Sequence, residues 1–297
     1  MTGFICIDKP QNMTSFTAAN RARAILGYKK AGHTGTLDPM ATGVLPIALS
    51  GATRFIELLP TAEKGYIARV RLGITTDTLD MTGSVLKERP VTVTPAQIEE
   101  TALSFLGESL QTPPMYSALQ KDGVRLYELA RRGETVERVP RKIRISALSV
   151  SDFSENEFTL SVTCSAGTYI RSLADDIGKK LGRGAARCAL RRTAANGFTL
   201  DDCISLGTLE EMRDAGTAES RILPVDRCLS AYPATTVTAP QAVRFQNGGG
   251  LFLNRIGNPS VGMYRIYAPD KRFLGLGEVA DAPDTAELTV KRVLVDG

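Results

Sequence analysis

The segment most able to do chemistry is the loop Gly32–Gly43, with the sequence GHTGTLDPMATG. Its one carboxylate, Asp38, directly precedes Pro39, and a following proline keeps the backbone of Asp38 out of the helical region. The glycines of the loop permit close approach of a ligand or of another backbone segment. An aspartate held in this way is suited to act as a nucleophile or a general base. The same pattern also fits an Asp-turn in a tight connection, so spacing alone leaves both interpretations open.

The chemistry predicted for this chain uses neither a metal nor a nucleotide cofactor. Its single histidine is His33, and its five cysteines show no Cys-x-x-Cys spacing, so the sequence has no zinc-ligand pattern. Neither a Gly-x-Gly-x-x-Gly nor a Gly-x-x-x-x-Gly-Lys-Ser/Thr motif occurs. The odd number of cysteines, with no close pair along the sequence, indicates reduced thiols and a cytoplasmic protein.

Basic residues are concentrated in two segments, although the formal net charge is only +4. Residues 179–192 contain six bases and no acid, and residues 121–144 contain eight bases and four acids. Clusters of this kind favour a polyanion such as nucleic acid as the partner. A solvated helix face is the alternative interpretation, and the charge pattern alone does not separate the two.

The hydropathy pattern predicts an α+β fold with a mixed, largely antiparallel sheet, because helices and strands do not alternate regularly. A helix is predicted over 15–26, with Thr14 or Ser15 as its cap and Gly27 directly after its end. Alternation over 66–72 indicates a half-buried strand, and 32–46 is predicted to be a structured loop without helix or strand. The other predicted elements are helices over 95–108, 123–132 and 168–181 and a strand pair over 142–163.

The sequence predicts a domain boundary near residue 232, where Pro233, Pro240 and a turn at Asn247–Gly250 punctuate the chain. We expect residues 1–232 to form one domain and residues 233–297 a small all-β domain. No apolar run reaches the roughly 18–20 residues of a membrane span, and the first residues lack a secretory signal. The strand-like runs of the small domain cover 262–268, 274–280 and 288–295.

The loop around Asp38 resembles the signature of the TruB-type tRNA pseudouridine synthases, in which a Gly-Thr-Leu-Asp-Pro segment carries the essential aspartate. Two departures from the family pattern are visible. Asn12 stands where the family usually has a glycine, and asparagine tolerates a left-handed backbone better than most residues. The segment Gly184–Arg187 stands where the family often carries a histidine. The other family-like segments, in chain order, are Lys9–Ser15, Lys64–Gly83, Pro113–Arg131, Gly167–Leu173 and Leu190–Phe198.

The resemblance implies a pseudouridine synthase fold over 1–232, a PUA-like RNA-binding barrel over 233–297, and isomerisation of the T-loop uridine at position 55 of tRNA. The target base is flipped out of the loop before it reacts. Asp38 is then the nucleophile, and attack on the base and attack on the anomeric carbon are both open. Arg171 pairs with the aspartate and keeps it ionised. Tyr66 stacks on the flipped uracil and assists proton removal.

The resemblance also assigns the RNA contacts. The partner is the T-arm stem-loop of tRNA, and we expect the chain to act as a monomer without a protein partner, a membrane or a cofactor. His33 is expected to stack within the opened T-loop. Basic side chains are expected to contact phosphates, which position the RNA without reading its sequence. The substrate-binding set is His33, Gly35, Thr36, Lys9, Lys64, Tyr169, Arg191 and Arg192, with Lys179 and Lys180 as further phosphate contacts.

Three alternatives accompany this interpretation. A guide-RNA-dependent pseudouridine synthase of ribosomal RNA is the nearest, and the compact chain without charged tails favours the stand-alone tRNA enzyme. A non-catalytic RNA-binding or RNA-folding protein is disfavoured because Asp38, Tyr66 and Arg171 are all present. An aspartate-dependent glycoside hydrolase is disfavoured because such enzymes normally need a second carboxylate, and none adjoins Asp38.

Overall fold

The computed structural model describes residues 2–60, 62–117, 119–282 and 286–295 of the chain. These residues form six α-helices, five short 3₁₀ helices and twenty strands. The α-helices are α1 Ser15–Ile25, α2 Pro95–Leu103, α3 Leu126–Arg131, α4 Ile170–Lys180, α5 Leu206–Asp214 and α6 Ala239–Gln246. The 3₁₀ helices are Ser50–Leu58, Leu200–Asp202, Ala218–Arg221, Val225–Leu229 and Leu253–Arg255. The strands are β1 Gly3–Lys9, β2 Ala31–His33, β3 Thr42–Leu49, β4 Lys64–Leu72, β5 Ile74–Thr76, β6 Val85–Glu88, β7 Gly107–Gln111, β8 Gln120–Lys121, β9 Val124–Arg125, β10 Arg141–Ser154, β11 Glu157–Cys164, β12 Ala185–Ala195, β13 Phe198–Thr199, β14 Cys203–Ile204, β15 Leu223–Pro224, β16 Ala234–Thr236, β17 Leu251–Phe252, β18 Gly262–Tyr267, β19 Phe273–Val279 and β20 Glu287–Val293.

The chain divides into two compact units. The first unit consists of residues 1–39, 45–61 and 196–297, and the second of residues 40–44 and 62–195. The loop that carries Asp38 therefore leaves the first unit after Pro39 and enters the second at Met40. Strand β3 begins in the second unit and ends in the first.

In the first unit, β1 lies between β14 and β3, β15 pairs with β1, and β2 pairs with β3. Helix α1 packs on this sheet through Ala18, Ala22 and Ile25, whose spacing of three and four residues puts them on one buried face. The Thr14 side chain accepts a hydrogen bond from the backbone of the first turn, and Gly27 follows with φ +72°. The predicted helix at 15–26 is thus confirmed.

The C-terminal part of the first unit contains a five-stranded sheet in the order β16-β18-β19-β20-β17. The expectation of an all-β region is wrong, because α6 lies at Ala239–Gln246. Thr238 and Gln241 form a capping box that starts this helix, and Pro240 occupies the first turn, where a proline is tolerated. The sheet packs on an earlier part of the same unit, since the rings of Phe55 and Phe273 lie 6.1 Å apart.

In the second unit, the strands follow the order β12-β4-β11-β10-β7, and the first residues of β3 pair in parallel with β12. Strand β4 alternates as expected, with Tyr66, Ala68, Val70 and Leu72 buried. Helix α4 packs against β12, and its apolar face contains Ile170, Leu173, Ala174 and Ile177. Parallel and antiparallel pairs thus occur together, which confirms a mixed α+β fold.

Several predicted boundaries are wrong. The helix expected over 95–108 ends at Leu103, and a strand begins at Gly107, where φ is +94°. The expected loop over 32–46 is shorter, because β2 extends to His33 and β3 begins at Thr42. The basic run 179–192 is not one helix face, because its second half forms β12.

None of the five cysteines, all within the described residues, forms a disulfide. The fold nevertheless brings two of them together, with the Sγ atoms of Cys6 and Cys203 3.2 Å apart. None of the helices in the described segments combines the length and hydropathy that a membrane crossing requires.

Candidate active site

Asp38 is half-buried, and the residue before it is fixed by helix α1. The backbone N–H of Leu37 donates to Oγ of Ser15 at 2.8 Å, and the same hydroxyl donates to the Leu37 carbonyl at 3.1 Å. Both residues are buried. Hydrogen bonds in both directions to one backbone unit restrain it strongly, so the first residue of α1 sets the position at which the loop presents Asp38.

The residue after Asp38 is fixed by Lys9. The Nζ atom of Lys9 donates to the carbonyl oxygens of Pro39 at 3.2 Å, Pro10 at 2.8 Å and Met13 at 2.5 Å. The Lys9 side chain has no exposed surface, so the expectation that it contacts a phosphate is wrong. Its role is to hold two turns of backbone together. The first of these contains Asn12 at φ +61°, the left-handed conformation expected where the family has glycine.

The residues between β2 and Asp38 face solvent in part. His33 pairs with Ile47 across β2 and β3, and the Thr34 hydroxyl donates to Oδ1 of Asn196 at 2.9 Å. His33 and Gly35 are half-buried, and Thr36 is exposed. These three predicted substrate-binding residues are accessible to a ligand in the first unit.

The far end of the loop is fixed in the second unit by arginines of β12. Nε of Arg192 donates to the Val44 carbonyl at 2.7 Å, and Arg191 reaches the Thr42 hydroxyl at 3.4 Å. Gly43 has φ +100°, and a Cβ there would lie 2.2 Å from the Arg192 carbonyl oxygen, so the close pairing requires glycine. Arg192 is 1% exposed, so the expectation that it contacts a phosphate is also wrong, whereas Arg191 is half-buried.

Tyr66 lies on the same sheet face as Arg192, since the two residues are direct neighbours across β4 and β12. Its ring is mostly buried, at 8% exposed. Lys64 begins the same strand and is half-buried. Burial and the nearby Arg192 guanidinium lower the pKa of the Lys64 ammonium. An approaching anion would raise this pKa again, because it favours the charged form of the lysine.

Arg171 stands at the start of α4 and is buried. Tyr169, the residue directly before the helix, is fixed by Gln111, which accepts from the Tyr169 N–H at 2.8 Å and donates to its carbonyl at 3.1 Å. The Arg171 guanidinium faces Asp80, with Nη1 3.9 Å from Oδ2. Near the other end of α4, Lys179 pairs with Asp175 of its own helix, so Lys179 is partly neutralised.

Asp80 is a buried carboxylate with a full set of partners. Its Oδ1 accepts from the hydroxyls of Thr78 at 2.9 Å and Thr82 at 2.5 Å, and Oδ2 accepts from Arg187 at 2.9 Å. Burial alone would raise the pKa of Asp80, but the Thr82 hydrogen bond and the Arg187 charge, with Thr78 and Arg171, lower it below its ordinary value. The second unit therefore holds an ionised carboxylate between two buried guanidinium groups.

Sequence reasoning did not single out the buried pair of Asp80 and Arg187. A signal for Asp80 was present, because threonines stand two residues before and after it, at the spacing that lets hydroxyls bond one carboxylate. Arg187 lies in an alanine-rich run and was interpreted only as one base among six. Its burial depends on packing that hydropathy does not reveal.

Three family models match consecutive parts of the chain. Residues 23–170 match the N-terminal domain of the TruB family of pseudouridylate synthases. Residues 171–230 match the C-terminal domain of tRNA pseudouridylate synthase B, and residues 233–294 match the C-terminal region of pseudouridine synthase II TruB.

Relatives that carry the name tRNA pseudouridine synthase B match over nearly the full length. The protein of Dechloromonas aromatica (strain RCB) is 45% identical, covering 93% of this chain and 91% of its own. That of Stutzerimonas stutzeri (strain A1501) is 43% identical, covering 95% and 92%. That of Burkholderia pseudomallei (strain 668) is 41% identical, covering 100% and 98%.

Solved structures share the fold. A chain from the crystal structure of a Cbf5–Nop10–Gar1 complex is 26% identical, with a TM-score of 0.77 and coverage of 99% of this chain and 85% of that one. A chain from an H/ACA RNP bound to a substrate RNA containing 2'-deoxyuridine gives a TM-score of 0.75 at 24% identity, with coverage of 99% and 85%. From these matches, this chain belongs to the TruB family of pseudouridylate synthases and has the pseudouridine synthase fold.

Proposed function

We propose that this chain isomerises one uridine of tRNA, the T-loop uridine at position 55, to pseudouridine, and that it acts as a monomer in the cytoplasm. The observation that carries the proposal is the identity of 41–45%, over more than nine-tenths of both chains, to relatives named for this activity. The half-buried aspartate whose two chain neighbours are fixed by buried side chains supports it.

The reaction is a rearrangement within one nucleotide. The bond between N1 of uracil and C1′ of ribose breaks, the base rotates, and a bond forms between C5 and C1′. The proton on C5 is lost to a base, and N1 gains one from solvent. Atoms and oxidation states balance without a second substrate, so the protein needs to supply a nucleophile, a proton acceptor and a pocket for a base flipped out of its stack.

Asp38 is proposed as the nucleophile. Its neighbours Leu37 and Pro39 are held by Ser15 and Lys9, so the carboxylate is presented from a restrained backbone. Attack on the uracil ring and attack on C1′ after cleavage of the glycosidic bond are both compatible with this role. In either route the aspartate must be ionised, because only the carboxylate is nucleophilic.

Arg171 and Tyr66 are proposed as the residues that assist it. The Arg171 guanidinium, always charged, would pair with the Asp38 carboxylate and direct it toward the substrate. Tyr66 would stack on the flipped uracil, and its phenol would help remove the C5 proton. Supporting these roles, both side chains are buried in a unit that also holds the ionised Asp80.

The RNA contacts are proposed to lie on both parts of the chain. His33, Gly35 and Thr36 would contact the opened T-loop, and Lys64, Tyr169 and Arg191 would contact the backbone of the T-arm. The exposed ends of Lys179 and Lys180 extend this set. We propose that residues 1–232 form the catalytic domain and that 233–297 form a PUA-like RNA-binding domain, supported by the separate family match over 233–294.

Guide-dependent modification of ribosomal RNA is not favoured. The relatives named for a tRNA enzyme are 41–45% identical, whereas the chains from the Cbf5 and H/ACA complexes are 24–26% identical. An enzyme that needs no guide RNA is active on tRNA when no other RNA is present. An assay with and without a guide RNA therefore separates the two activities.

The test is tritium release from an unmodified T-arm stem-loop that carries [5-³H]uridine, with the purified chain and no other protein or RNA. We expect full release of one tritium per stem-loop, and no release when the T-loop target is replaced by cytidine. A purified, folded chain that binds the stem-loop without releasing tritium would contradict the proposed activity. Release only after addition of a guide RNA would support the alternative.

A further inference from the structure

A β-bulge places Arg187 on the same sheet face as Tyr66. Arg187 and Arg192 are five residues apart, so a regular strand would direct them to opposite faces. The pairing of β12 with β4 skips Cys188, because Arg187 lies opposite Val70 and Ala189 lies opposite Arg69. This extra residue shifts the alternation of side chains along β12 by one position. Arg187 and Arg192 therefore share the buried face, and both are 1% exposed.

The Asp80 segment is held by Arg187 through both backbone and side chain. The Arg187 N–H donates to the Leu79 carbonyl at 3.2 Å, and the Met81 N–H donates to the Arg187 carbonyl at 3.1 Å. Its Nη2 lies 2.9 Å from Oδ2 of Asp80. Arg171 is 3.9 Å from that same oxygen, beyond hydrogen-bond distance. Arg187 is therefore the cation that fixes Asp80, and Arg171 faces a carboxylate already held in place.

The same guanidinium reaches the loop that carries Asp38. Nη2 of Arg187 lies 3.1 Å from Sδ of Met40, and Met40 follows Asp38 by two residues. Both contacts come from Nη2, whose two N–H bonds lie in the plane of the rigid guanidinium and so point in fixed directions. A lysine ammonium on a flexible stem does not reproduce these directions. Arg187 thus connects Asp80, the partner of Arg171, to the end of the loop within the second unit.

We propose that Arg187 is a positioning residue of the uridine-isomerising site. It acts through Asp80 on Arg171 and through Met40 on the Asp38 loop, and it does not touch the substrate. The inference rests on the proposed function, because its readout is the rate of isomerisation. Misplacement of reacting groups by about 1 Å is enough to reduce a rate about 100-fold, so loss of the Arg187 guanidinium should lower kcat and leave RNA binding nearly unchanged.

The test compares kcat, KM and the dissociation constant for the T-arm stem-loop in wild type, Arg187→Lys and Arg187→Met. We expect kcat to fall about 10- to 100-fold in Arg187→Met and about fivefold or more in Arg187→Lys, with KM within about twofold of wild type. The backbone bonds to Leu79 and Met81 do not involve the side chain, so the strand pairing is retained. Each rate is measured about 20 °C below the melting temperature of that variant, and per mole of folded protein.

Arg69→Met is the matched control. Arg69 lies on β4 on the other face of the same sheet and makes an ion pair of the same length, 2.9 Å, with Glu157. We expect its kcat to match wild type even if its melting temperature falls. The inference is overturned if Arg187→Lys and every folded Arg187→Met preparation keep kcat within about twofold of wild type, or if Arg69→Met loses as much. Should Arg187→Met not fold, Arg187→Lys alone decides. An inactive wild type would contradict the proposed function instead.

Discussion

The two ends of the Asp38 loop are held by different chemistry. In the first unit, the end that contains Asp38 is fixed by Ser15 and Lys9. Their polar atoms form hydrogen bonds with the backbone of Leu37 and Pro39, the residues on either side of Asp38. In the second unit, the other end is fixed by Arg192 and by the close pairing at Gly43. One end is thus restrained by small numbers of directed hydrogen bonds, and the other by a strand ladder and buried guanidinium groups.

This difference indicates how the backbone of a loop can be restrained without being helical or part of a strand. The hydrogen bonds at the first end act on the residues adjacent to Asp38, so they set its orientation. The contacts at the second end act on residues that already belong to β3, so they set where the loop terminates. We expect changes at the first end to lower turnover as well as stability, and changes at the second end to affect stability first.

The largest effect should come from Asp38 itself. Asp38→Asn removes the nucleophile and leaves the loop backbone intact, so we expect less than about 1% of wild-type turnover. RNA affinity should stay within about tenfold, because phosphate contacts dominate nucleic-acid binding. Tritium release measures the turnover, and filter binding with the same stem-loop measures the affinity. Turnover above that level in a contamination-free preparation would remove Asp38 from the role of nucleophile.

At the second end, Gly43→Ala should destabilise the chain by about 2–5 kcal/mol. A positive φ costs a residue with a side chain about 1–2 kcal/mol, and the collision of the new Cβ with the Arg192 backbone adds about 1–3. Gly182→Ala is the control, since Gly182 also has positive φ but has open space where the Cβ would lie. It should cost about 1–2 kcal/mol. If urea unfolding shows that Gly43→Ala and Gly182→Ala lose the same free energy of unfolding, the close pairing at Gly43 is unimportant.

At the first end, Lys9→Met should lower kcat several-fold and destabilise the chain by about 1–3 kcal/mol. The ammonium bonds three carbonyl oxygens that methionine leaves unsatisfied, and the cost of such groups is of this size. Ser15→Ala should cost about 1 kcal/mol and lower kcat as well. Kinetics with a saturating stem-loop, alongside urea unfolding, separate the two effects. A change in KM alone would indicate that Lys9 contacts RNA after all.

The smallest effect concerns pH and belongs to the second unit. The pKa of Asp80 is lower in the folded chain than in the unfolded chain, so its contribution to stability is complete above the unfolded value of about 3.9. The contribution is lost as pH falls through the folded pKa. Asp80→Asn should therefore unfold with a shallower dependence on pH below about 4. If the free energy of unfolding of Asp80→Asn fell as steeply with pH below about 4 as that of wild type, the ionised state of Asp80 would be contradicted.

Much of the fold followed from local patterns, and the parts that did not have identifiable causes. Helix α1 and strand β4 carry regular spacings and a recognisable cap, and the structure confirms both. Strand β12 was missed because alanines and arginines dominate it and because the bulge at Cys188 interrupts its alternation. Helix α6 was missed because Pro240 was interpreted as a break, although Thr238 and Gln241 have the spacing of a capping box.

The residues of the candidate site divide in the same way, into those that local patterns predict and those that they do not. The segment around Asp38 was identifiable because its residue types carry chemistry at a short spacing. The functions of Lys9 and Arg192 were misjudged, because a basic side chain near a motif suggests a phosphate contact until its burial is known. The pairing of Asp80 with Arg187 joins residues 107 positions apart, and no local pattern predicts which of many charges will meet across that separation.

The central proposal is that this chain converts the T-loop uridine of tRNA. Its most direct test maps pseudouridine at single-nucleotide resolution, by carbodiimide labelling and primer extension, in total RNA from cells lacking the chain. The same cells are then supplied with wild type or with Asp38→Asn. We predict that the signal at tRNA position 55 is absent without the chain, returns with wild type and stays absent with the variant. A signal at position 55 that persists without the chain, or that the variant restores, would contradict the account.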